Sequence, residues 1–183
     1  MRDTVGMASA TSVPVSEYLG PRYRPDCEYV DGELQERNAG ERPHNAVQFI
    51  LARIFNSHLK DWKIVAFPEQ RVNAGANRYR IPDVCVLRRS DTADDIVQKA
   101  PLICIEVLSP EDRSSRMMER FADYAQMGVE HLWMIDPMTR YAWTISADGS
   151  QQRVHGAFTV TGTPIRIELA EVFAELDDMQ SPG

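Results

Sequence analysis

Pro101-Leu102-Ile103-Cys104-Ile105-Glu106-Val107-Leu108-Ser109-Pro110 is an apolar run closed by proline, with a single carboxylate near its end. A run of this length and character predicts a β-strand buried on both faces. An unpaired charge in such a strand costs at least about several kcal/mol. Glu106 therefore needs a compensating arginine, proton or metal ion. Twenty-three positions earlier, Arg80-Ile81-Pro82-Asp83-Val84-Cys85-Val86-Leu87 puts Asp83 at the head of a second apolar run. Two carboxylates on adjacent strands would make a small site for a hard divalent cation.

The remaining composition frames that site. A chain of 183 residues with 43% hydrophobic content suits one domain with one core. Residues 1–14 read as a loose Ser/Thr/Ala-rich lead-in, 15–176 as a single domain and 177–183 as an acidic, flexible tail. No apolar stretch nears the ~20 residues that span a bilayer, and no secretory signal opens the chain, so a cytoplasmic protein without a membrane partner is expected. Cys27, Cys85 and Cys104 form no CxxC pair, which predicts free thiols acting as small hydrophobes in a reducing compartment.

The net charge of −7 argues at first against a nucleic-acid partner. Five acids and no Lys or Arg lie between 168 and 183, and without them the net charge is −2. Residues 71–90 carry Arg71, Arg78, Arg80, Arg88 and Arg89 against Asp83 alone. Positive charge thus surrounds one of the two carboxylates, either as a functional surface or as a solvated face.

Around the two apolar runs the pattern is mixed α/β. Residues 15–19 read as a short helical turn. Asp31-Gly32 between Glu28-Tyr29-Val30 and Glu33-Leu34-Gln35 predicts a type I′ hairpin. Val47, Ile50, Leu51, Ile54 and Phe55 have helical spacing, and Pro43 suits the first turn of a helix over 43–59. Extended segments are expected at 63–72 and 79–87, and an Asp-rich loop at 90–99. A second helix is expected over 111–127, with Met117, Phe121 and Tyr124 on its apolar face and Gly128 closing it. Residues 131–135 and 141–145 read as strands joined by the turn Asp136-Pro137-Met138-Thr139. Asp148-Gly149 marks another hairpin, 151–167 strand and loop, and 169–176 a terminal amphipathic segment.

These elements form a specific ordered set. It comprises the hairpin, His44 at a helix start, Pro-Asp opening a strand, Glu-Val-Leu-Ser-Pro, a helix ending in Tyr-Ala-x-x-Gly-Val, and Trp-Met-Ile-Asp-Pro. The set resembles the restriction endonuclease-like Uma family of the PD-(D/E)xK nuclease superfamily, over roughly residues 15–160. The resemblance implies a restriction endonuclease-like core, a central mixed β-sheet flanked by α-helices. It further implies a Mg²⁺-dependent endonuclease acting on DNA, with Mn²⁺ able to substitute. Asp83 and Glu106 would be metal ligands, with the Val107 carbonyl completing the protein's share, and Glu28 a further acidic contributor.

The superfamily's lysine would fall at Leu108, which cannot serve. The matching position on the following helix is Arg120, which can hold a phosphate oxygen but stays protonated near neutral pH. Arg113, Arg116 and Arg120 share one helix face as a candidate phosphate clamp. Of the three lysines, Lys99 lies seven residues before Glu106, ~23 Å along an extended strand. Lys60 and Lys63 flank the first helix's end.

Plainer readings stand beside these. Glu106 could be a structural ion pair with Arg120 or Arg80, Asp83 could simply begin a strand, and Glu28 and Asp31 could only shape the hairpin. His44 could be a capping residue or could act near the metal or phosphate. Trp133 and Trp143 read as core or interface residues. The rival functions are a non-catalytic nucleic-acid- or protein-binding module on the same fold, and a homodimer formed through the hairpin near Trp133–Trp143.

Overall fold

The structure is a computed structural model and describes residues 12–20, 27–37, 40–110 and 114–181. Of the expected lead-in over 1–14, residues 1–11 lie outside the described residues, as do 111–113, the expected start of the second long helix.

Local chemistry accounts for the hairpin and the first helices. A short helix α1 (Val15–Tyr18) precedes β1 (Cys27–Val30) and β2 (Glu33–Glu36). Asp31 and Gly32 join the two strands with φ of 50° and 95°, both positive as a type I′ turn requires. Helix α2 (Arg42–Ser57) carries Pro43 in its first turn and buries Val47, Ile50, Leu51 and Phe55. Strands β3 (Ile64–Pro68), β4 (Val72–Gly75), β5 (Arg78–Arg80) and β6 (Val84–Arg88) follow.

Each expected extended segment is divided. One breaks after Pro68, where Glu69 turns with φ 53°. The other breaks at Ile81-Pro82-Asp83, because Pro82 has no N–H to continue a ladder. This second break sends β5 and β6 into different sheets.

The remaining elements are β7 (Ile103–Val107), α3 (Ser114–Met127), β8 (His131–Asp136), β9 (Tyr141–Ile145), β10 (Gln151–Arg153), β11 (Ala157–Thr159), β12 (Arg166–Glu168) and α4 (Leu169–Gln180). Gly128, with φ 95°, ends α3 as expected. Helix α4 runs on through Asp177 and Asp178 where a tail was expected, and Arg140 ties Asp177 down at 2.5 Å.

The central sheet has the order β10-β9-β8-β7-β6-β3 and is mixed: β7 and β8 run parallel and the other pairs antiparallel. Helix α3 is the crossover that the parallel pair needs. A second sheet, β2-β1-β5-β4, is antiparallel, and β11 pairs with β12 alone.

Strand alternation divides the central sheet into two chemically distinct faces. Ile103, Ile105 and Val107 of β7, with Val84 and Val86 of β6, pack beneath α2 and α4. There Trp133 stacks between Phe158 at 4.4 Å and Phe55 at 6.2 Å. On the opposite face Cys85, Leu87 and Cys104 meet Met117, Phe121 and Tyr124 of α3. All three cysteines are buried and outside any disulfide among the described residues. Among the described residues, no helix is long and apolar enough to cross a membrane.

Candidate functional site

The β6–β7 register builds the site. Val84 pairs with Ile105 and Cys85 with Cys104, so one further step brings Asp83, just before β6, opposite Glu106 on β7. Both are buried, Glu106 fully and Asp83 to 3% exposure. The two carboxylates are thereby brought close enough for the Asp83 charge to act on Glu106.

Their surroundings differ. Asp83 accepts from Arg37 Nη2 at 2.5 Å and from the Val107 N–H at 2.7 Å, and His44 Nε2 lies 3.2 Å from its Oδ2. Its main-chain carbonyl accepts from Gln48 Nε2 at 2.9 Å, which fixes the residue against α2. Burial alone would raise the Asp83 carboxyl, but His44, Arg37 and the Val107 N–H outweigh it and hold the group below its ordinary value. His44 responds in turn: burial would lower its ring, yet Asp83 raises it.

Glu106 accepts from the Tyr124 hydroxyl at 2.6 Å and sits 3.4 Å from Arg120 Nη1. Burial first, then the Asp83 charge, push its carboxyl up to about 8, against the opposing pull of Arg120. The pair is thus split, one member held ionised and the other driven towards its acid form.

Behind Glu106 lies an ionic chain that docks the second sheet onto α3. Glu28 is fully buried and accepts from Arg80 Nη1 at 2.8 Å, the Ile81 N–H at 3.1 Å and Arg120 Nε at 3.2 Å. Arg80, 1% exposed, also donates to Asp123 at 2.6 Å and Gln35 at 3.1 Å, and pairs with Glu119 at 3.2 Å. Arg120 is therefore gripped from two sides, by Glu28 and by Glu106.

His44 and the Val107 N–H contact Asp83, while Arg120 joins Glu106 to Glu28, so the expected site residues fall into two adjacent groups. Leu108 stands at the lysine position, with its N–H bonded to the Ile135 carbonyl. Lys99 pairs with Asp91 at 3.3 Å on the surface, and Lys63 lines a cavity with Arg88 and His131 beyond the far end of β6. Arg116 is exposed, while Arg113 lies outside the described residues.

Most arginines of 71–90 are engaged with other side chains of the chain, buried or at the surface, and do not form one basic face. Arg71 lies over the Tyr18 ring at 4.9 Å, Arg78 binds Asp31 and Asp123, and Arg88 pairs with Glu130. Arg37, the Tyr124 hydroxyl and the Arg80–Asp123 pair were not singled out for the site by sequence. Tyr124 carried a signal, since its hydroxyl puts a polar tip on the apolar stripe Met117, Phe121 and Tyr124 of α3.

The chain matches the Uma2 family, described as "Putative restriction endonuclease", over residues 17–173. No curated protein matches it. Among solved structures it is similar to the crystal structure of a "putative nuclease belonging to DUF820" from Anabaena variabilis. That protein is 20% identical, with a TM-score of 0.76, covering 90% of this chain and 99% of that chain. The structural likeness shows a shared fold. The family match takes in the hairpin, both carboxylates and all of α3, and the chain belongs to the Uma2 family.

Proposed function

We propose that the chain is a Mg²⁺-dependent endonuclease that hydrolyses phosphodiester bonds, with DNA as substrate. The observation carrying this reading is the buried, neighbouring Asp83–Glu106 pair, split in ionisation by its surroundings. A purely structural pair would have no need of two facing carboxylates, which repel each other in a medium of low polarity.

The donor set fits a hard cation. Among the described residues no three His, Cys, Asp or Glu side chains converge as metal ligands. Two carboxylates and the Val107 carbonyl would suffice, because Mg²⁺ keeps several waters and takes oxygen ligands. When bound, the ion would supply Lewis acidity, acidifying water and neutralising charge on the scissile phosphate.

The protein's own groups do the rest. Arg120, fixed by Glu28, holds a phosphate oxygen and answers charge developing there. It supplies electrostatics in place of the lysine and no proton transfer. His44 orients Asp83, and Tyr124 orients Glu106, so both carboxylates present defined oxygens. Glu28 acts from behind by holding Arg120.

The test is cleavage of duplex DNA in Mg²⁺ by wild type, Asp83→Asn and Glu106→Gln. Wild type cleaves, and each variant loses more than about a hundredfold, beyond the usual cost of disturbing a ligand's supporting partners. Equal cleavage by the variants overturns the reading.

Leu108 at the lysine position favours a second reading, a binding module without catalysis. It predicts DNA binding that needs no divalent ion and is unchanged in Glu106→Gln. Trp133 is buried in its own core, which confines any pairing of copies through the β8–β9 hairpin to exposed groups such as Tyr141.

A further inference from the structure

Two arginines attend the two facing carboxylates, and they are held differently. Arg120 is gripped by a second buried carboxylate, Glu28, at 3.2 Å, and Glu28 is itself anchored by Arg80 and the Ile81 N–H. Among the described residues, no buried carboxylate other than Asp83 lies within ion-pair distance of Arg37, and Glu106 and Glu28 act on it only from farther away. Its Nη2 binds Asp83 Oδ1 at 2.5 Å, and its Nη1 pairs with Glu69 at 3.5 Å, a residue 61% exposed to solvent. It stands at the end of β2, where the strand pairing has finished.

Room lies beside it. An open groove of about 470 Å³ is lined by Gly40, Asn45, Gln48, Phe49, Pro68 and Glu69. Two of these, Gln48 and Glu69, touch Asp83 and Arg37 respectively.

We infer that Arg37 is an exchangeable counter-ion: it neutralises Asp83 in the metal-free chain, and on cation binding it turns to a phosphate of the nucleic-acid strand. The inference rests on the metal-site reading above. Its physical basis is competition. A carboxylate oxygen that accepts a guanidinium at 2.5 Å is less available to a divalent cation, and a cation placed there repels the guanidinium. A planar guanidinium released next to a catalytic carboxylate pair suits a phosphodiester oxygen in charge and geometry. Arg120 does not make this exchange, because Glu28 retains it.

The prediction has an unusual sign. Removing a residue from the site should improve metal binding. In calorimetric Mn²⁺ titrations, Arg37→Gln should bind about tenfold more tightly than wild type, as loss of a competing close cation implies. Arg37→Lys, which keeps a charge, should stay close to wild type. With Ca²⁺ as a non-native hard cation, Arg37→Gln should bind duplex DNA more weakly, and its log–log salt slope should fall by about 0.9, the loss of one phosphate contact.

A wild-type measurement needs no substitution. Arginine Nε–H NMR signals followed through a Mg²⁺ titration should show Arg37 moving and Arg80 stationary. Unchanged or weaker Mn²⁺ binding by a folded Arg37→Gln, or an Arg37 signal that does not respond to Mg²⁺, overturns the exchange while leaving the metal site intact. Absence of Mn²⁺ binding in wild type removes the metal site itself, and the exchange with it.

Discussion

The two faces of the central sheet are built from alternate residues of the same strands, yet they obey different rules. Beneath α2 and α4, β7 presents Ile103, Ile105 and Val107 to a closed apolar core. Towards α3, the intervening residues are Cys104 and Glu106, and the layer beyond is a chain of carboxylates and guanidiniums. The first face gains stability from apolar area and dispersion. The second gives some of it up, because desolvated charges rarely repay their cost through pairing alone. A fold that keeps stability on one face can tolerate two facing carboxylates on the other.

The sharpest way to break that contrast is to damage the apolar face. Trp133→Ala should remove about 3–5 kcal/mol of stability, the usual cost of deleting a fully buried aromatic side chain. Urea denaturation would read it, and Mn²⁺ affinity of the folded fraction should be unchanged.

On the charged face the largest effect depends on pH. Glu106 has a folded-state value near 8 against an ordinary 4.5, so the folded chain holds a proton that the unfolded chain releases in this window. Stability from this group is full below about 4.5 and is lost as pH rises through about 8. Glu106→Gln mimics the protonated form and escapes the loss. Relative to wild type it should gain on the order of a few kcal/mol across that window. Asp83 runs oppositely: its depressed carboxyl contributes stability above its ordinary range, lost only as pH falls into strong acid.

A smaller effect lies at Tyr124. Tyr124→Phe deletes the 2.6 Å hydrogen bond to Glu106 and should cost about 1 kcal/mol. It should also weaken Mn²⁺ binding severalfold by calorimetry, because the hydroxyl favours the ionised carboxylate. Smallest of all is Arg88→Ala. Its pair with Glu130 is solvent-exposed, and its removal should move stability by less than about 0.5 kcal/mol in urea titrations.

The sequence was most legible where local chemistry decides. Asp31-Gly32 dictated a turn, Pro43 and the apolar stripe of α2 a helix, and Gly128 the end of α3. Asp83 and Glu106 stood out because a charge inside an apolar run needs an explanation. What stayed hidden depends on contacts between distant segments. Arg37 reaches Asp83 across 46 residues, and Arg80 reaches Glu28 across 52. An arginine just past the end of a hairpin strand looks like any solvated surface residue until the fold turns it inward. The split of 79–87 into strands of two sheets is similar, since Pro82 marks a break without saying where each half goes.

The most direct measurement is calorimetric titration of Mn²⁺ into wild type and Glu106→Gln near neutral pH, repeated in buffers of different ionisation enthalpy. The account predicts saturable binding to wild type with release of about one proton, since Glu106 must ionise to become a ligand, and no binding to the variant. Binding without proton release, or equal binding by Glu106→Gln, would contradict a cation site built on the Asp83–Glu106 pair.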